Sequence, residues 1–210
     1  MKLTPPEFAL MNSSVRAASQ KWLETPLLIG TRRTLAEKRV LEIGCGRGVG
    51  MEILLSLGAA HVTGFDLDPA MIALAAKRVA KYGARACVSV GDAQAIDAHD
   101  ASFDAVVDYG VIHYVPHWPL ALKEVARVLQ CPDPASGKPG GMFYFEEWLK
   151  DFVSSRLVQA LFNHPQVIPL DSREFRAGLE AVGLRMRKWN QWGEWGIMGQ
   201  AIKTSSPEQT

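Results

Sequence analysis

Val40-Leu41-Glu42-Ile43-Gly44-Cys45-Gly46-Arg47-Gly48 is the stretch on which the reading of this chain turns. Residues 40–43 form a short β-rich run that ends in glycines. Met51, Ile53, Leu54 and Leu57 follow at helical spacing and Gly58 stops them. A strand, a tight turn and a helix in that order put Gly44, Gly46 and Gly48 at the carboxyl end of the first strand, where open α/β sheets bind ligands. Glycines there let backbone approach a ligand closely.

Moving outward, the alternation of strands and helices repeats. Residues 61–66 are a second strand, and Asp68-Pro69 then supplies an N-cap and a first-turn proline to a helix carrying Met71, Ile72, Leu74 and Val79. Further strands are expected at 87–90, 103–108 and 142–145, with a helix at 120–129 and a Pro- and Gly-rich surface loop at 131–141. Helices near 154–162 and 172–182 and strands at 184–189 and 196–203 complete the set. Seven strands alternating with helices predict an α/β fold, a mostly parallel seven-stranded sheet with helices on both faces. Residues 1–36 read as a helical N-terminal extension covering the pocket, with Phe8, Leu10, Val15, Trp22 and Leu23 as an apolar face; residues 37–204 form the main domain.

The chain's 210 residues suit one such domain, and 48% hydrophobic against 21% charged residues is a globular balance. Lys and Arg number 23 and Asp and Glu 22, without long runs of either sign, so the footprint of a nucleic-acid binder is missing. No segment approaches the ~20 apolar residues of a membrane span, and no signal peptide is legible, so a cytoplasmic protein is expected. Cys45, Cys87 and Cys131 are odd in number and scattered, which suggests reduced thiols and no metal site. Oligomeric state is not legible.

The glycine turn alone does not choose a ligand, because dinucleotide-binding folds use one too. Here the spacing is Gly44-x-Gly46-x-Gly48, and Glu42 precedes the first glycine by two. A dinucleotide turn cradles pyrophosphate on helix N–H groups, so a carboxylate beside it suits a ligand with an ammonium better. Asp66 ends the second strand eighteen residues beyond Gly48, where a carboxylate can accept from both ribose hydroxyls. Gly91-Asp92-Ala93 ends the third and can offer a carboxylate to an adenine amino group, although a turn-forming Asp competes with that role.

Three acidic positions at the ends of three successive strands resemble the class I methyltransferases dependent on S-adenosylmethionine (SAM), in particular their ubiquinone/menaquinone-biosynthesis-like small-molecule branch. The resemblance rests on residues 40–48, 62–71, 91–93, 102–104, 110–113 and 124–129. It implies a Rossmann-like class I methyltransferase fold, SAM as cofactor and S-adenosylhomocysteine as product. It further implies that Gly44, Cys45 and Gly46 meet the methionine part through backbone, that Asp66 holds the ribose, and that Leu67 and Met71 border the adenine. Asp92 and Ala93 would meet the adenine, and Asp108, Tyr109 and Gly110 would line the methyl-transfer site. Cys45 reads as a small residue fitting the turn rather than a nucleophile.

For the acceptor side the expectation is a small molecule: a phenol- or quinol-like oxygen or carbon, or a small thiol or sulfide, methylated by direct in-line displacement. His113 is the candidate general base, with Tyr114 and Glu146 beside it. Glu146 and Glu147 are adjacent on one strand, so one of them should point away. Trp189, Trp192 and Trp195 are candidates to wall an acceptor pocket, with core packing the competing role for at least one. The alternatives are a catalytically silent SAM-binding partner protein and an NAD(P)-dependent oxidoreductase.

Overall fold

The computed structural model describes residues 13–31, 34–156, 158–159 and 168–204. Phe8, Leu10 and the later part of the helix expected near 154–162 lie outside them. Seven strands form one sheet: β1 (Arg39–Ile43), β2 (His61–Asp66), β3 (Ala86–Val90), β4 (Ala105–Tyr109), β5 (Met142–Trp148), β6 (Leu184–Trp192) and β7 (Gly196–Lys203). Their order is β3-β2-β1-β4-β5-β7-β6. β1 to β5 run parallel, and β7 inserts antiparallel between β5 and β6.

The chain leaves β1 toward β2 on one side and later returns to β4 on the other. The crevice between those departures is the topological switch point where such sheets bind ligands. The β6–β7 turn, residues 193–195, lies at the same edge, because Trp192 and Gly196 pair with each other and Gly196 pairs with Trp148 at the end of β5. The loop at 131–141, by contrast, feeds the start of β5 and so sits at the opposite end of the sheet from the crevice.

Two cores flank the sheet. On one face Val40, Val62, Val107 and Tyr144 pack against Met51 and Leu54 of α3 (Val49–Ser56), Ala75 and Val79 of α4 (Pro69–Val79), and Leu28 of the N-terminal segment. That segment contains α1 (Ser14–Ser19), a π-helical turn at Gln20–Glu24 and α2 (Thr25–Leu28). Pro26 has no N–H for the ladder, and just before it the Thr25 N–H reaches five residues back to Gln20.

On the other face Leu41, Ile43, Val106, Phe143 and Phe145 meet Leu122 and Val125 of α5 (Trp118–Val128) and Phe175 and Leu179 of α7 (Ser172–Ala181). Phe145 lies against Gly199 of β7, where an added Cβ would come within 2.3 Å of its ring. Between β5 and α7 lies the short α6 (Lys150–Val153).

Element types agree with the sequence expectation, and several boundaries move. β6 runs on to Trp192 because its polar residues 190–191 keep pairing with β7, which alternation alone does not reveal. The expected strand at 103–108 begins at Ala105; Phe103 forms only an isolated bridge to Leu129.

Candidate functional site

A cavity of about 210 Å³ opens at the switch point. A water needs ~10–15 Å³ on that scale, so the space suits an organic ligand. Its floor is the turn after β1. Gly44 has φ +59°, and an added Cβ would strike Val111 at 2.5 Å, so the turn and the loop after β4 close on each other only through a glycine. Gly44, Cys45 and Gly46 line the cavity. Gly48 does not: it stands at the N-cap of α3, packed against Ala75.

Glu42 projects from β1 into the cavity wall, 2% exposed, and its Oε2 has no partner among the described residues. Room for it comes from Gly50, where a Cβ would meet Glu42 Oε1 at 2.0 Å and the Gln20 amide nitrogen at 2.9 Å. Burial first, then the charges of Asp66 and Asp108, pushes the Glu42 carboxyl well above the usual carboxylate range. A cation beside it would reverse that preference.

Asp66 ties the first two turns together. Its Oδ2 accepts the Gly46 N–H at 3.0 Å and its Oδ1 the Asp68 N–H at 2.9 Å. Burial raises its pKa, and those two N–H groups pull the other way. Leu67 and Met71 line the cavity from the start of the second βα unit, with Leu67 half exposed and Met71 buried. Asp92 and Ala93 line it from the third turn. Asp92 Oδ1 also accepts the Gln94 N–H at 2.9 Å, so it is a turn carboxylate and a wall residue at once. The thiol of Cys45 is buried and pushed far up by desolvation, which removes it as a nucleophile.

On the far side, Tyr109, Gly110 and Tyr114 stand in the wall. Asp108, His113 and Glu146 stand behind it. Asp108 is fully buried; its Oδ1 accepts the Val111 N–H at 2.9 Å, and its carboxyl faces Glu147. His113, expected to face the acceptor, is 1% exposed and outside the lining, with Nδ1 2.5 Å from Glu147 Oε2. Burial lowers its pKa to about 4.

Glu147 also accepts the N–H groups of Ile112 at 2.9 Å and His113 at 3.1 Å. It thereby clamps the turn at Ile112–Tyr114 that follows β4. Desolvation raises Asp108 well above its ordinary range, and the facing Glu147 adds to this; desolvation also pushes Glu147 up to about 7, against the pull of Asp108 and of the His113 and Ile112 N–H groups.

Strand alternation sends Glu146 to the opposite face from Glu147, as adjacency requires, yet both are buried because the sheet is covered on both faces. Glu146 lies next to Arg16 at 3.5 Å, and Arg16 also pairs with Glu24. Desolvation, followed by Glu24, pushes Glu146 up to about 8.

Arg16, Ala17 and Gln20 complete the wall from the N-terminal segment, and no pattern in the sequence points to them. The segment is fastened by Thr25 to the Tyr109 hydroxyl at 2.8 Å, and by Lys188 and Gln200, which donate to Leu27 O at 2.9 Å and Leu28 O at 2.6 Å. Arg47 donates to Ser13 O at 3.0 Å from the glycine turn itself.

Fold and sequence together point to a class: the fold is that of solved class I methyltransferases, and part of the sequence is similar to a methyltransferase family. Residues 40–131 match the family described as "Methyltransferase domain". Among curated relatives, a phthiotriol/phenolphthiotriol dimycocerosates methyltransferase of Mycobacterium leprae is 37% identical over 139 residues, 61% of this chain and 48% of that one. A fatty-acid O-methyltransferase of Mycolicibacterium smegmatis is 37% identical over 111 residues, 52% of this chain and 37% of that one. The chain thus spans about half or less of the length of these relatives.

Among solved structures, a chain from the complex between the Haloferax volcanii Trm112 methyltransferase activator and the putative methyltransferase superposes with a TM-score of 0.76 at 16% identity. It covers 98% of this chain and 100% of that one. A SAM-dependent methyltransferase from Aquifex aeolicus gives 0.69 at 18% identity, covering 96% and 99%. These likenesses bear on the fold.

Proposed function

We propose that this chain transfers the methyl group of SAM to a nucleophilic oxygen of a small acceptor with an extended apolar body. The observation that carries the donor half is Glu42 Oε2, buried, without a partner among the described residues and set beside the glycine turn. Such a site favours the ammonium of an amino-acid tail and opposes a pyrophosphate, which disfavours a nicotinamide dinucleotide. When bound, SAM supplies an electrophilic methyl on a sulfonium. Glu42 and Gln20 hold the ammonium, Asp66 accepts from the ribose hydroxyls, Leu67 and Met71 border the adenine, and Asp92 with Ala93 meets its amino edge. The backbone of Gly44, Cys45, Gly46 and Gly110 forms the remaining wall.

The N-terminal extension acts as a cover: Arg16, Ala17 and Gln20 exclude water from the space between donor and acceptor. Arg16 orients an oxygen acceptor, and Glu146 Oε2 behind it takes up the proton of a hydroxyl. Tyr114 borders the acceptor. His113 acts at one remove, holding the turn after β4 through Glu147. The names of the curated relatives, which act on hydroxylated lipids and fatty acids, support an oxygen acceptor over a thiol or sulfide.

Calorimetry with S-adenosylhomocysteine and NADH, then transfer of labelled methyl to hydroxy-lipids, fatty acids, phenols and thiols, tests this reading. Homocysteine-product binding with label in an oxygen acceptor is the expected result. NADH binding in its place would move the chain to the oxidoreductases, and cofactor binding without transfer to any acceptor would make it a silent SAM-binding partner.

A further inference from the structure

At the carboxyl edge of the sheet, beside the cavity, three aromatic rings stand in a row. Trp148 ends β5 and stacks on Phe152 of α6 with centroids 4.2 Å apart, and Phe152 meets Trp195 of the β6–β7 turn edge-on at 6.0 Å. Trp148 and Trp195 are 44% and 53% exposed. The row begins at the cavity wall, since a Cβ on Gly110 would lie 3.8 Å from Trp148 Cδ1.

The row is also rigid. Leu149 N–H donates to Trp195 O at 3.0 Å and Asp151 N–H to Glu194 O at 2.9 Å, which fastens the hairpin turn to α6. Glu194 in turn accepts from the Ser172 hydroxyl at 2.5 Å and the Gln191 amide at 3.1 Å. Trp189, by contrast, is turned into the core against Phe145 at 6.0 Å. Rings held in place by backbone hydrogen bonds yet left open to water form a pre-organised apolar surface, and a contiguous exposed patch of that kind marks a binding site.

We propose that Trp148, Phe152 and Trp195 seat the linear apolar chain of the methyl acceptor while its reacting oxygen enters the cavity past Gly110. This rests on the acceptor reading given above. The occupant follows from continuity with the cavity, from a row of three aromatic side chains whose outer members, Trp148 and Trp195, stay exposed to a flexible alkyl chain, and from the dimycocerosate and fatty-acid substrates named for the relatives. The row selects acceptors by chain length and leaves the donor site untouched.

The test uses the full chain saturated with S-adenosylhomocysteine and titrated with hexanoate, octanoate and decanoate. Half-burial of each methylene predicts affinity rising roughly twofold per added CH₂. In Phe152→Ala and Trp195→Ala that gain falls below about 1.3-fold per CH₂, with homocysteine-product affinity unchanged as the check on folding, and Trp195→Phe restores most of it. Equal gains in wild type and variants, or no dependence on length in wild type, would overturn the proposal. So would a change in self-association on light scattering with the length dependence intact, since a second copy would then be the occupant. Chain-length dependence without methyl transfer to any oxygen acceptor would sink the functional reading and leave the seat standing. Transfer to short acceptors with a flat length dependence would do the reverse.

Discussion

The two sides of the cavity are built differently. The side proposed for the donor comes mostly from the turns after β1, β2 and β3, and its carboxylates at Asp66 and Asp92 are held by the backbone N–H groups of Gly46, Asp68 and Gln94. The acceptor side is assembled from α1, the turn after β4, the end of β5 and the β6–β7 hairpin, and its joints are side-chain carboxylates buried between elements. Backbone-held sites tolerate little change in sequence. Side-chain-held ones vary piece by piece, which is how one donor site serves many acceptors.

The largest effect should fall on the donor side alone. Asp66→Ala removes the acceptor of two backbone N–H groups and, in the proposed function, of the ribose. We expect S-adenosylhomocysteine affinity by calorimetry to drop about a hundredfold or more, at ~1.5–3 kcal/mol per charged hydrogen bond. Alkanoate binding should hold within about twofold; if both fall together, the two sides are one unit and the contrast is broken.

Next, Glu147→Gln places an amide against three N–H donors and should lower unfolding free energy by ~2–3 kcal/mol. Denaturant titration measures this. Cofactor affinity should stay within about threefold, because Glu147 holds Asp108 and the turn after β4 from behind the cavity wall and does not line it.

A smaller loss is expected for Gly50→Ala, whose Cβ would displace Glu42 Oε1. Affinity for the homocysteine product should fall roughly tenfold, equivalent to ~1.4 kcal/mol, with little change in melting temperature. An unaltered affinity would remove Glu42 from the donor site.

The smallest effect is in pH. Glu146 is raised from 4.5 to about 8, so the folded protein binds that proton more tightly than the unfolded chain does. Its contribution to stability is complete below about pH 4.5 and is lost as pH rises through about 8. Relative to Glu146→Gln, the wild type should therefore lose stability over that interval. Parallel pH profiles would show that Glu146 is solvated and that the N-terminal segment does not close over it.

The same contrast explains what the sequence discloses. The alternation of strands and helices, the glycine turn and the three acidic strand ends are local patterns, readable because each is written in one short stretch of chain. Arg16 and Trp148 have no local pattern at all. They meet the cavity only because β5 sits beside β4 and the N-terminal segment folds back across it. His113 and Glu146 were legible as polar residues at strand ends, but whether such a residue enters the cavity or stands behind its wall depends on which layer covers it. That is a tertiary property: Glu147 draws the His113 ring inward, and Arg16 lies over Glu146.

The meeting of Phe145 with Gly199 bears on how β5 finds its register. Residues 146 and 147 are both glutamate, so a slip of one residue would exchange one carboxylate for another on each face and raise little electrostatic objection. What such a slip cannot satisfy is shape, since it would swing Phe143 and Phe145 to the opposite face of the sheet and leave the hollow over Gly199 without its ring. During folding, fidelity at the chemically charged end of this strand is thus guarded by its uncharged half, through a single notch in the neighbouring strand.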